Sequence, residues 1–144
     1  LINVNIRRIK MGEIKQIIVM RKDLHCRAGK IAAQVAHASM KVILDMMSKE
    51  RVSGGMQKWS LLMHEEDDIF TWLDGQFTKI VLYVPDLDYM MNLKDRAEMF
   101  GVPTALIIDA GKTEFHNKPT PTALALGPAD SDVLGELTGD LKLI

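Results

Sequence analysis

Apolar residues along this chain change their spacing in a regular order. From Lys15 to Met20, KQIIVM, they run almost without interruption and are rich in β-branched side chains, which predicts a strand buried on both faces. A polar loop, RKDLHCRAG, follows. From Ala28 to about Ser48 the spacing widens: Ile31, Val35, Ala38, Val42 and Met46 recur every three or four positions, the period of a helix with one buried face. Ala32, Ala33 and Ala36 are small enough to bring that helix close against a sheet. SKERVSGG reads as a loop. The segment MQKWSLLMHEEDDIFTWLDGQ predicts only a short helix around Ile69, Trp72 and Leu73, started by Asp67 or Asp68 and stopped by Gly75.

Beyond it, KIVLYV (79–84) is a second strand. DLDYMMNLKDRAEMFG is a helix capped by Asp86 or Asp88 and ended by Gly101, burying Met90, Leu93, Ala97 and Phe100. TALIID (104–109) and TALALG (122–127) are the third and fourth strands, and PADSDVLGELTG is a last short helix. This order predicts one α/β domain with helices covering the sheet. The connection between the last two strands is short enough for antiparallel pairing, so the sheet is expected to be mixed.

Composition narrows the class. A chain of 144 residues, 47% hydrophobic and 26% charged, has the size and balance of one globular domain. No apolar run approaches the roughly 18 residues that span a bilayer. LINVNIRRIK lacks the apolar stretch of a secretory signal. Met11 opens MGEIKQIIVM and reads as a start, which makes residues 1–10 an extension or a foreign remnant and 11–144 the domain. The single Cys26 excludes an intramolecular disulfide and fits a reducing cytoplasm. The net charge of −1 is unevenly spread: residues 1–30 carry a net +6, set by Arg7, Arg8, Lys10, Lys15, Arg21, Lys22, Arg27 and Lys30 against Glu13 and Asp23. An anionic partner is therefore expected near the first strand and helix.

Candidate chemistry gathers at two places. In open α/β sheets ligands bind beyond the carboxyl ends of parallel strands, and the loop 21–30 and Asp109 both sit at strand ends of that kind. Lys30 and Asp109 would face each other across one crevice if their strands were parallel neighbours. CRAGKI does not meet the phosphate-loop formula, because Leu24 stands where a glycine is needed and Ile31 where a Ser or Thr is needed. Lys30 then reads either as an anion anchor at a helix start or as a solvated lysine. Lys30, Gln34, His37 and Lys41 lie on one polar stripe of the helix, at about 100° per residue, either a track for phosphates or an ordinary wet face. The turn DAGKTEFHNKPTPT places Lys112, Thr113, His116, Lys118, Thr120 and Thr122 after Asp109. His25, His37, His64 and His116 show no metal-ligand spacing, and no G-x-S-x-G elbow is present. HEEDD (64–68) reads as solvated surface.

Six segments in register, KQIIVMRKDL, GKIAAQVAHA, KIVLYV, LIIDAGKTEF, TPTALALGP and LTGDLKLI, resemble peptidyl-tRNA hydrolases of the second, archaeal and eukaryotic type, from about Lys15 to Ile144. The resemblance implies a single α/β domain, a four-stranded mixed sheet with helices on both faces, often dimeric. It implies hydrolysis of the ester between a peptide and the 3′-terminal ribose of tRNA, in the cytoplasm, with no metal or other cofactor in the proposed catalysis. Its catalytic groups fall on Lys30, Asp109 and a threonine, Thr122 or Thr120, with Thr113 matching the position after the DAG turn. Arg21, Arg27, Gln34, His37 and Lys112 are the expected substrate contacts. In the family a second basic residue often precedes the matched lysine; here that position is Ala28, so either one phosphate contact is lost or Arg27 replaces it. The region from about Ser48 to Asp68, with Trp59, is longer than in typical members and reads as a lid, a dimer contact or a lineage insertion. The rival readings are a non-catalytic module binding tRNA or a protein, and an esterase acting on another acylated nucleotide.

Overall fold

The computed structural model describes residues 12–112 and 115–144. The expected extension at residues 1–10 and Thr113 lie outside them. The chain forms β1 (Ile14–Arg21), α1 (Ala28–Met46), β2 (Ser48–Arg51), β3 (Gln57–Ser60), α2 (Asp68–Asp74), β4 (Lys79–Val84), α3 (Leu87–Met99), β5 (Thr104–Asp109), β6 (Thr120–Asp130) and α4 (Ser131–Thr138). The main sheet has the order β4-β1-β6-β5. β1 pairs with β4 in parallel, while β6 is antiparallel to both β1 and β5.

The unbroken apolar run of β1 reflects its central place. Ile17 and Val19 point to one face, where they meet Met90 and Leu93 of α3 and Leu134 and Leu137 of α4. Ile18 and Met20 point to the other, against Ala38 and Val42 of α1. β6 alternates in the same way, Leu124 and Leu126 opposite Ala123 and Ala125. Helices thus cover both faces of a four-stranded mixed sheet, as the resemblance implied.

Several local expectations are corrected. Ala32, Ala33 and Ala36 are exposed; the close approach of α1 is made instead by Ala38 against the sheet alanines Ala105, Ala123 and Ala125. Phe100 is 57% exposed, because α3 ends at Met99 and the turn at Gly101 (φ 71°) hands its place in the core to Val102. β6 runs past Gly127 and Pro128, where a bulge opposite Gln16 absorbs the irregularity and the Gln16 amide donates to the Gly127 carbonyl at 3.2 Å. The segment read as the loop SKERVSGG and the start of the following segment form a separate two-stranded ribbon, β2 with β3.

Candidate active site

α1 begins beyond the carboxyl end of β1. Arg27 is its extended N-cap, and the Ile31 N–H donates to the Arg27 carbonyl at 3.0 Å, so Lys30 falls in the first turn. Asp109 is the last residue of β5. The strands of Lys30 and Asp109 run in the same direction but are not neighbours: β6 lies between them. The two residues still meet, because α1 packs across β6 and β5 and projects Lys30 over the end of β5. The Lys30 Nζ lies 2.9 Å from Asp109 Oδ1, and the two side chains keep 14% and 16% of their surface exposed. The pair is held firmly yet reachable from solvent.

Three groups bind the Asp109 carboxylate. Lys30 and the Gln34 amide (3.2 Å) donate to Oδ1, and the Gly111 N–H donates to Oδ2 at 2.9 Å. The hydrogen bond from Lys30 holds the Asp109 carboxyl below the usual carboxylate range; burial opposes this, while Gly111, the charge of Lys30 and Gln34 assist it. Asp109 is therefore an ionised acceptor at neutral pH. The turn that supplies the Gly111 N–H needs glycine, since φ is 79° and a Cβ would fall on the carbonyl of Lys118.

Gln34 is the member of the polar stripe that does not face water. It is 2% exposed, and while its amide nitrogen donates to Asp109 its oxygen accepts from the Thr122 hydroxyl. Thr122 is fully buried on β6. Its hydroxyl thus reaches Asp109 through Gln34. Thr120 is partly exposed, pairs with Asp109 across β5 and β6, and donates its hydroxyl to the Lys118 carbonyl at 2.8 Å. Arg21 bonds both oxygens of Asp23 (3.0 and 2.7 Å) and the Pro121 carbonyl (3.0 Å), which ties the end of β1 to the start of β6. Arg27, His37 and Lys112 are exposed. Sequence reasoning missed Phe115, whose ring lies 5.5 Å from the Lys30 ammonium; an aromatic inside a polar turn was the available signal. Among the described residues no three His, Cys, Asp or Glu side chains gather as a metal site requires, and no helix is long and apolar enough to cross a membrane.

A partly exposed ion pair at the open end of a mixed α/β sheet, its ionised carboxylate steadied by a lysine and a buried amide, suits a site that orients a polar reactant. Residues 14–144 match the family model Peptidyl-tRNA hydrolase PTH2. The chain is 37% identical over 130 residues to the peptidyl-tRNA hydrolase of Sulfurisphaera tokodaii, covering 90% of this chain and 98% of that protein. It is 36% identical over 131 residues to the peptidyl-tRNA hydrolase of Metallosphaera sedula (91% and 100%) and 37% identical over 131 residues to that of Pyrobaculum aerophilum (91% and 98%). The chain belongs to the PTH2 family of peptidyl-tRNA hydrolases.

Proposed function

We propose that this protein hydrolyses the ester joining a peptide to the 3′-terminal ribose of tRNA, freeing the tRNA for reuse. The supporting observation is the Lys30–Asp109 pair, 2.9 Å apart at the open end of the sheet, within a chain that matches the family over nearly its whole length. A water accepted by Asp109 is turned toward the ester carbonyl. Its oxygen bonds to the carbonyl carbon, and negative charge collects on the carbonyl oxygen in the tetrahedral intermediate. Lys30 lies beside that position and offsets the charge. The carbon–oxygen bond to the ribose then breaks, the ribose oxygen takes up the proton lost by the water, and the peptide leaves as a carboxylic acid.

In this reading Asp109 acts mainly by orientation, since a carboxylate with a depressed pKa is a weak base. Gln34 and Thr122 are positioning residues that fix the direction of its oxygens. Arg27, Lys112 and His37, all exposed, are the contacts offered to the RNA, and Arg21 shapes the loop that carries Arg27. The protein works in the cytoplasm as a homodimer, which sedimentation of the purified protein would check.

The test is release of free tRNA from peptidyl-tRNA by the purified protein, compared with Lys30→Ala and Asp109→Asn. Wild type releases tRNA and both variants are severely slowed. No release by wild type under conditions where it binds tRNA would remove the enzymatic reading. Full activity in both variants would leave the function standing and remove the site.

A further inference from the structure

The β2–β3 ribbon has no part in the core: every residue of both strands is exposed. A two-stranded ribbon that buries nothing is marginal by itself, so its side chains deserve a separate explanation. Strand alternation places Lys49 and Arg51 on one face, with Trp59 opposite Lys49 and Gln57 opposite Arg51. The contacts agree: the Lys49 ammonium lies 4.5 Å from the centre of the Trp59 ring, and the Trp59 indole N–H donates to the Gln57 side-chain oxygen at 3.1 Å. On the other face Lys58 stands directly across from Glu50, so charge is balanced there. Among the described residues Lys49 and Arg51 form no ion pair with a carboxylate.

We propose that this face of the ribbon, Lys49, Arg51 and Trp59, is a second RNA contact that grips the phosphate backbone of the tRNA away from the scissile ester. The proposal rests on the reading of the protein as a peptidyl-tRNA hydrolase. Residues 48–60 carry a net +2 in a chain whose net charge is −1, so the ribbon is locally complementary to a polyanion. Two cations at i and i+2 of a strand stand about 7 Å apart, the scale of neighbouring phosphates along one nucleic-acid strand. Trp59 holds Lys49 in place and adds an exposed aromatic surface of the kind that packs against ribose or base. Position decides which part of the substrate is met. Lys30 is in the first turn of α1 and the ribbon follows its last, a separation of about 24 Å at ~1.5 Å per residue. The ribbon therefore meets the body of the tRNA, where contacts to phosphate fix register without reading sequence. In the acidic run that follows, Asp67 is turned into its own loop, where it accepts from the His64 N–H at 2.8 Å.

The test uses the whole purified protein and deacylated tRNA, so that its result does not depend on hydrolysis. Trp59 is 47% exposed and Trp72 only 3%, which makes Trp59 the indole that reports on a ligand at the ribbon. Wild-type fluorescence changes on titration with tRNA, and the change is lost in Trp59→Phe. Replacing Lys49 and Arg51 together by Ala weakens binding by about tenfold at moderate salt and reduces the slope of log affinity against log salt by about 1 to 2. With peptidyl-tRNA and a peptidyl-CCA fragment as paired substrates, the ratio of kcat/KM between whole and fragment falls by a similar factor in the double variant. Unchanged tRNA affinity and salt slope would overturn the proposal. So would a loss of the homodimer in the double variant at unaltered RNA affinity, which would make the ribbon a contact between copies. Failure of wild type to cleave either substrate would instead strike the enzymatic reading, and the binding comparison would still decide the ribbon.

Discussion

Lys30 and Asp109 are 79 positions apart in the chain, yet the lysine donates to the carboxylate at 2.9 Å. The pairing makes Asp109 an ionised acceptor, with its pKa lowered by that hydrogen bond before any other cause. A depressed folded-state pKa has a definite sign. The ionised form persists as pH falls through the ordinary carboxylate range, so activity is lost only below it. The stability the pair contributes is complete above the ordinary aspartate pKa, declines below it, and is gone once pH passes the lowered folded-state pKa. The acid limb of kcat/KM in wild type should lie below the usual carboxylate range. In Lys30→Ala it should move upward, toward an ordinary aspartate. An acid limb at the same pH in both proteins would show that Lys30 does not govern Asp109.

Asp109→Asn keeps the size of the side chain but removes its charge. The expected loss in kcat is about 10²–10³-fold, the range seen when a single well-placed polar group is removed from a site of acyl transfer. Single-turnover release of tRNA measures it directly.

Gln34 couples Thr122 to Asp109, so the effects of changing Gln34 and Thr122 should not add. Thr122→Val leaves the buried Gln34 oxygen without its donor, and Gln34→Ala leaves the buried Thr122 hydroxyl without its acceptor. Each should destabilise by about 1–3 kcal/mol and slow catalysis. The double variant should cost clearly less than both singles together, in unfolding free energy and in kcat. Strict additivity would show that the two side chains act independently.

Gly111→Ala tests the turn that presents a backbone N–H to Asp109. Its positive φ and the contact of a Cβ with the Lys118 carbonyl predict a loss of about 1–3 kcal/mol, together with a fall in activity. Chemical denaturation gives the first and tRNA release the second. An unaltered midpoint would mean that the turn adjusts freely.

Ala123→Leu tests the support of the site from beneath. Ala123 is fully buried on the sheet face under α1, beside Ile107 and Met20. Added bulk there should destabilise by about 1–3 kcal/mol and lift α1, carrying Lys30 away from Asp109. The activity loss at a temperature where the variant remains folded should exceed that of a comparable change on the α3 face, such as Ala97→Leu.

The order and type of the main-sheet strands and their covering helices are legible in the chain's apolar spacing, although β6 runs on to Asp130, past the Gly127 end expected of the fourth strand. KIVLYV and TALIID carry their limits in the apolar runs, and α1 shows its buried stripe through Ile31, Val35, Ala38, Val42 and Met46. These signals are local, because burial on one or two faces imposes a period on the chain. The ends of β1 and β5 also pointed to Lys30 and Asp109, and the six matched segments made them a pair. Tertiary structure decided what no local period carries. A glutamine within a polar helical stripe looks like any solvated residue; only the packing of α1 across β6 and β5 reveals Gln34 as buried between Thr122 and Asp109. The insertion of β6 between β1 and β5 was equally silent, since strand order depends on which apolar faces meet over long chain separations. The β2–β3 ribbon escaped because it buries nothing, and a strand without a buried face leaves no alternation of apolar and polar residues to read.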